Sequence, residues 1–448
     1  MANATLEPDA AAQHGMPDEH ESRNPSPRAS KAHINGAPNE KLEILDEESH
    51  VSFPDRLRHF TWANFTFPMA TGGLSLLLSP ATQPHTFDGL RTVGKVVYIW
   101  DLVIFSIICI AITYRFIRWP GTLKSSITHP TESLFVGTSL LSCASIIASM
   151  ARYGIPVTGD WLVVVYRVLF WIYFAVSFLL AVGQYVLLFT NPKLKIQDMT
   201  PAWDLPIFPF MLCGTIASSG AALQPSYQAV PMIVAGLLAQ GLGFLVSILM
   251  YASYVRRMIQ YGFPSPNSRP GMFIAVGPPS FTALAIMGMA SAFPSEVYTY
   301  WGGNPQTTEQ VLKILATCTA VFIWSLSLWF FCISVVANLV VAKELTFHLS
   351  WWAYVFPNVG FTIAIITIGK QLQSQGVMWV GSVMTILLVI MYLFTLANHV
   401  KAVWKKEILC YGKDEDVYVK ERALKYERGR RQDAEGQADV ERNGQKRD

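Results

Sequence analysis

The chain has 448 residues, a formal net charge of +3 and only 15% charged residues. Those charges crowd its ends: residues 1–59 hold 17 Asp, Glu, Lys and Arg, residues 401–448 hold 24, and the 341 residues between them hold 24. A soluble surface needs more, since ordinary domains carry roughly 25% charge, and the near-neutral balance leaves no phosphate footprint for a nucleic-acid partner.

Residues 1–55 are rich in Ala, Pro, Asn, Ser, Asp and Glu with no periodic apolar face, which predicts a disordered cytoplasmic tail. No apolar run in residues 1–50 serves as the core of a signal peptide. Ser26-Pro27 is a candidate phosphorylation dipeptide.

A membrane-spanning helix needs about 20 apolar residues to cross about 30 Å of hydrocarbon. Ten stretches meet that requirement, near 61–78, 96–114, 133–151, 161–189, 203–222, 229–255, 271–292, 311–340, 350–369 and 377–397. Together they predict an all-α integral membrane domain over 56–400, embedded in a lipid bilayer. Residues 401–448 follow as a charged cytoplasmic tail, with Cys410 beside Lys405 and Lys406 a candidate for palmitoylation. The other five cysteines lie in apolar runs and behave as small hydrophobes, so no disulfide framework is expected.

Basic residues in the short loops orient the ten spans. Fourteen Lys and Arg fall on the side of the tails, among them Arg56, Arg115, Arg257 and Arg269. The other side has four: Arg91, Lys95, Arg152 and Lys370. The asymmetry predicts that both termini are cytoplasmic.

Alternate spans differ in composition. Gly, Ala, Ser and Thr make up 44 of 99 residues in the odd-numbered spans and 29 of 126 in the even-numbered ones. Small residues permit close helix approach in lipid. The pattern predicts five helical hairpins, odd helices inside and even helices outside; tight packing with no path is the alternative. Proline follows the same division, with Pro68, Pro209, Pro279 and Pro357 in the odd spans. An interior proline frees a carbonyl, which lipid does not tolerate unless protein or water satisfies it. Kinks at these four positions are expected to line an aqueous path.

Catalytic signatures are missing. There is no glycine-rich phosphate loop, paired-cysteine metal spacing or nucleophile triad, and the nine histidines lie in tails, loops or helix ends. Neither an enzyme, nor a metal, nor a cofactor is expected. Charges within spans are rare and costly. Asp101 is expected to hold helices together, and Arg167 serves either structure or substrate. Lys370 either attracts an anion at a pore mouth or snorkels to the interface. The first, seventh and ninth spans contain no Asp or Glu. A path without acidic rings favours an anion over a cation. Thr71 and Ser280 are candidate hydroxyls along it.

Several runs resemble a known family. They are His59-Phe60-Thr61-Trp62 with Met69-Ala70-Thr71-Gly72-Gly73; Pro201-Ala202-Trp203 with Leu205-Pro206-Ile207-Phe208-Pro209; Arg269-Pro270-Gly271-Met272-Phe273 with Val276-Gly277-Pro278-Pro279; Phe356-Pro357-Asn358-Val359-Gly360-Phe361; and Gly412-Lys413-Asp414-Glu415-Asp416. Over roughly residues 56–416 the chain resembles fungal malic acid permeases of the tellurite-resistance/dicarboxylate transporter family, which includes plant slow anion channels and fungal sulfite pumps. The resemblance implies ten helices around a central pore, a homotrimer, and a phenylalanine plug on the ninth helix, to which Phe356 corresponds. Phe281 is a second candidate plug by position, and Asn358 joins the candidate path. The expected activity is transport of malate and related four-carbon dicarboxylates (succinate, fumarate) at the plasma membrane, channel-like or proton-linked. Efflux of sulfite or another small inorganic anion is the alternative on the same fold, and a non-transporting scaffold or receptor is the alternative of another class.

Overall fold

The computed structural model describes residues 56–409 except 130, 191–194 and 298–303. The expectations for residues 1–55, Ser26, Cys410 and the 412–416 run lie outside the described residues.

The described chain is helical, without a strand. Its main elements are α1 (Thr66–Leu77), α2 (Leu90–Arg118), α3 (Glu132–Val157), α4 (Trp161–Phe189), α5 (Phe208–Leu223), α6 (Ser226–Tyr261), α7 (Pro266–Ala292), α8 (Pro305–Leu339), α9 (Leu349–Gln371) and α10 (Gln375–Trp404). Eight of these, all but α1 and α5, are long and apolar enough to cross a membrane. The expected spans at 61–78 and 203–222 are shorter as α-helix. The first opens with a 3₁₀ turn at Trp62–Phe65, and the second with one at Pro201–Asp204. Of the even helices, α4 matches its expected bounds, and α2, α6, α8 and α10 are longer than expected by up to about three turns in all.

Packing sorts the helices into two shells. The odd helices touch in a closed order, α1 on α3, α3 on α5, α5 on α7, α7 on α9 and α9 back on α1. Each even helix packs on the odd helix before it. The apolar windows of α3, α7 and α9 are 72–89% buried, whereas those of the five even helices are 22–39% buried. The composition explains the division. Leu, Ile, Val and Phe on α2, α4, α6, α8 and α10 face outward, with Ile110, Leu179, Leu249, Phe322 and Ile386 all exposed. The small residues of the odd helices let five backbones approach one another. Tyr392 of α10 closes the outer shell onto the first helix through its 3.0 Å hydrogen bond with Thr71.

The odd helices share a second trait. Each begins with a 3₁₀ segment: Trp62–Phe65, Glu132–Phe135, Pro201–Asp204, Pro266–Val276 and Leu349–Tyr354. All five lie at the end of the ring where the chain enters and leaves, which is called the tail end below; the opposite end is the far end. Arg56 Nη2 donates to the carbonyl of Ile408 at 3.2 Å and so joins the first and last described turns.

Candidate functional site

The site is built at the point where 3₁₀ winding gives way to α-helix. Pro209, Pro279 and Pro357 each occupy the first turn of their α-helical segments, Phe208–Met211, Gly277–Ala292 and Phe356–Gln371. Proline fits there because the first helical amides have no intrahelical acceptor and its fixed φ is already helical. These prolines therefore mark helix starts rather than the mid-helix kinks expected from the sequence. Pro68 lies third in α1, directly after the Trp62–Phe65 turn.

Starting three helices at one level brings three aromatic rings together. Phe281 of α7 stacks on Phe356 of α9, centroids 5.0 Å apart and planes at 25°. Phe208 of α5 completes the cluster, 5.8 Å from Phe281 and 6.1 Å from Phe356. All three are buried, none more than 2% exposed.

Each ring rests in a notch on the next odd helix. A β-carbon added to Gly277 of α7 would lie 2.7 Å from Phe208 Cζ. One added to Gly360 of α9 would lie 2.6 Å from Phe281 Cε2, and one added to Gly73 of α1 would lie 3.0 Å from Phe356 Cδ2. The same relation thus recurs around the ring from α5 to α7, α9 and α1. Glycine is required by close approach here. Aromatic clusters of this offset kind gain about 0.5–1.5 kcal/mol per pair beyond burial.

The hydroxyl candidates are engaged by protein. Thr71 Oγ1 donates to the Phe67 carbonyl at 2.9 Å and meets Tyr392 OH on the outer helix α10. Ser280 Oγ donates to the Val276 carbonyl at 2.6 Å, where 3₁₀ passes into α-helix. Asn358 Nδ2 donates to the Tyr354 carbonyl at 2.8 Å, while its Oδ1 has no hydrogen-bond partner. Phe356, Phe281, Ser280 and Asn358 therefore gather at the level of the rings, and Thr71 turns toward the outer shell.

The charged candidates separate. Arg167 is half-buried on the outer helix α4. Asp101 of α2 is fully buried beside Gly72, where α1, α2 and α3 meet, and forms no ion pair among the described residues. Lys370 ends α9 at the far end and donates to the Ala81 carbonyl at 3.0 Å. Arg152, in the last turn of α3, lies within electrostatic reach of it. Among the described residues no group of three or more His, Cys, Asp or Glu is placed to hold a metal ion.

Two parts of this site escape a reading of the sequence. Phe208 stands in the same Phe-Pro dipeptide as Phe356, and that repetition between odd helices was its available signal. Arg152 was visible only as a far-side charge.

The family model for SLAC1, described as a voltage-dependent anion channel, matches residues 59–400. A malic acid transport protein of Schizosaccharomyces pombe is 40% identical over 384 residues, covering 84% of this chain and 86% of the relative. A putative malic acid transport protein of the same organism is 37% identical, covering 84% and 88%. A sulfite efflux pump of Arthroderma benhamiae is 23% identical, covering 77% and 91%.

Proposed function

The chain belongs to the voltage-dependent anion channel family, and on that premise we propose that it carries malate and related four-carbon dicarboxylates across the plasma membrane. The path is the axis enclosed by α1, α3, α5, α7 and α9, and Phe356 is its gate. The observation that carries this reading is the trio of buried phenylalanines from three helices, seated at one level of a closed five-helix ring. All ten helices span the bilayer in this reading. For α1, the 3₁₀ lead-in and α-helix together give about 26 Å of rise, close to the hydrocarbon thickness.

The wall suits an anion. Two carboxylates lie in the inner helices and their 3₁₀ lead-ins: Glu132, which Arg115 neutralises at 2.6 Å, and Asp204, which is buried and accepts from Ser247 and Tyr251 of the outer helix α6. Hydroxyls bonded to their own helices, as at Ser280, leave a polar wall without fixed negative charge. The bond from Arg56 to Ile408 supports placing both tails on one side, and the excess of Lys and Arg at that end supports the cytoplasm. The homotrimer rests on the family resemblance.

Passage requires the Phe356 ring to leave its notch at Gly73 and its stack on Phe281. Phe356→Ala removes the ring and is expected to raise malate flux severalfold in oocytes or proteoliposomes. Unchanged or reduced flux in a normally folded variant would refute the gate. Malate outranks sulfite as the proposed substrate because the malic acid transport protein is the nearer match, 40% against 23% identity. Paired flux measurements with the two anions test that order.

A further inference from the structure

Arg152 differs from Arg56, Arg115, Arg257 and Arg269, each of which donates to a backbone carbonyl. Its Nε is shielded without a partner, as the Nε of Arg56 and of Arg115 is, but those two donate through their Nη groups and Arg152 makes no hydrogen bond among the described residues. Among the described residues its guanidinium forms no ion pair and donates to no carbonyl. The side chain as a whole is partly exposed, so its unmet guanidinium donors are open to an acceptor arriving at the mouth.

The surroundings indicate which ligand. Arg152 ends α3 and Lys370 ends α9, two helices separated in the ring by α1, yet the two cations are within electrostatic reach of each other. They therefore bracket the far end of the ring. Lys370 uses one of its three ammonium protons on the Ala81 carbonyl, and two remain for other acceptors. Arg91 adds a third positive charge near Tyr153, the residue beside Arg152. The structural neighbours are already satisfied: Tyr153 OH donates to the Ser75 carbonyl at 2.7 Å, and Tyr166 OH donates to the Ile216 carbonyl at 2.6 Å. Neither hydroxyl needs Arg152.

A cation in the last turn of a helix also offsets the negative end of the helix dipole. That role alone does not account for the pair, because Arg152 donates to none of its helix's carbonyls and Lys370 donates to a different segment. Two cations facing one opening without an acid repel each other. A ligand with two negative charges removes the repulsion and supplies acceptors for the unpaired donors. Charge-assisted bonds of guanidinium to carboxylate are the strong class of hydrogen bond.

We propose that Arg152 and Lys370 form an anion-docking site at the far mouth of the ring, selective for dicarboxylate dianions over monocarboxylates. Arg152 takes one carboxylate and Lys370 the other. The site deepens the transport reading given above and rests on it for the identity of the ligand.

The test uses full-length protein purified in detergent, with malate and lactate titrated by calorimetry, and malate flux measured in parallel. Arg152→Gln is expected to weaken malate binding roughly tenfold or more. Arg152→Lys restores part of the affinity, Lys370→Gln weakens it less, and lactate binds poorly to every form. Lys95→Gln, an exposed charge on the outer helix α2, is the control and leaves binding as in the unaltered protein. Each variant is first shown to be monodisperse by size exclusion. Equal malate affinity in the unaltered protein, Arg152→Gln and Lys370→Gln overturns the site while leaving the transport reading intact. Absent malate binding and flux, with sulfate binding that is lost in Arg152→Gln, overturns malate as the ligand and keeps the anion site. Absent binding of both anions overturns the site.

Discussion

The two ends of the five-helix ring use the same kinds of side chain for opposite purposes. At the tail end Arg58, Arg118 and Arg256 are exposed, but Arg56, Arg115, Arg257 and Arg269 are closed into the protein. Arg115 donates to Glu132 and to the Phe60 carbonyl at 2.7 Å, which joins α2, α3 and the lead-in to α1. Arg257 donates to the Gln197 carbonyl at 3.1 Å, and Arg269 to the Ala337 carbonyl at 2.8 Å. At the far end Arg152, partly exposed, makes no hydrogen bond with any of its guanidinium nitrogens among the described residues. A charge whose donors are satisfied by carbonyls is a staple. One whose donors are unmet is held ready for something that arrives. Partners, rather than residue type or depth, separate the two roles.

The sharpest way to break this comparison is to remove one arginine from each end. Arg115→Ala leaves Glu132 as a largely shielded, unpaired carboxylate and the Phe60 carbonyl without its donor. Breaking a buried pair in this way costs about 3–5 kcal/mol. The expected result is a large fall in the thermal midpoint of the purified protein, or failure to accumulate in the membrane. Arg152→Gln removes a charge that has no protein partner, so the thermal midpoint is expected to hold or rise. If the two variants lose stability equally, the distinction between staples and free cations is wrong.

Much of the shell arrangement was legible in the sequence because composition reports environment directly. Small residues, and the prolines other than Pro231 of α6, fell on alternate spans, and those are the helices that form the buried ring. The helix boundaries were less legible. A proline inside an apolar run reads the same whether it kinks an α-helix or begins one after a 3₁₀ turn, and only backbone geometry places Pro209, Pro279 and Pro357 at helix starts. The charges were least legible. Counting Arg56, Arg115, Arg257 and Arg269 as topology signals treats them as free charges, whereas all four donate to backbone carbonyls of other segments. Hydroxyls gave the same difficulty, since Thr71 and Ser280 are suitable for a path by type but are engaged by protein. Phe356 was found through resemblance, and its companions Phe208 and Phe281 gain meaning only from the distances between rings.

A change of intermediate size sharpens the contrast at the level of the rings. Gly360→Ala places a methyl group 2.6 Å from the Phe281 ring, closer than side chains approach. The ring must shift or turn, and overpacking of this kind costs about 1–3 kcal/mol. Gly73→Ala crowds Phe356 at 3.0 Å and is expected to be milder. Because Phe281 and Phe356 stack, either methyl group disturbs both rings. Both variants are expected to change malate flux, Gly360→Ala more than Gly73→Ala, with smaller losses of stability than Arg115→Ala. Flux unchanged in Gly360→Ala, with the protein folded, would mean that the ring positions do not control passage.

The smallest expected effect concerns the boundary between the shells. Tyr392→Phe removes only the hydroxyl that Thr71 meets at 3.0 Å. Thr71 Oγ1 keeps its bond to the Phe67 carbonyl, so no buried donor is left without an acceptor. The cost in stability is about 1 kcal/mol or less, the net worth of one neutral hydrogen bond. Malate flux is expected to stay near that of the unaltered protein, because the Thr71 hydroxyl serves the contact of α1 with α10 rather than the axis of the ring. A marked change in flux, with an unchanged thermal midpoint, would show that the hydroxyl freed at Thr71 reaches the path. The wall facing the anion would then extend behind α1, and the division into an inner conducting shell and an outer lipid-facing shell would fail at this helix.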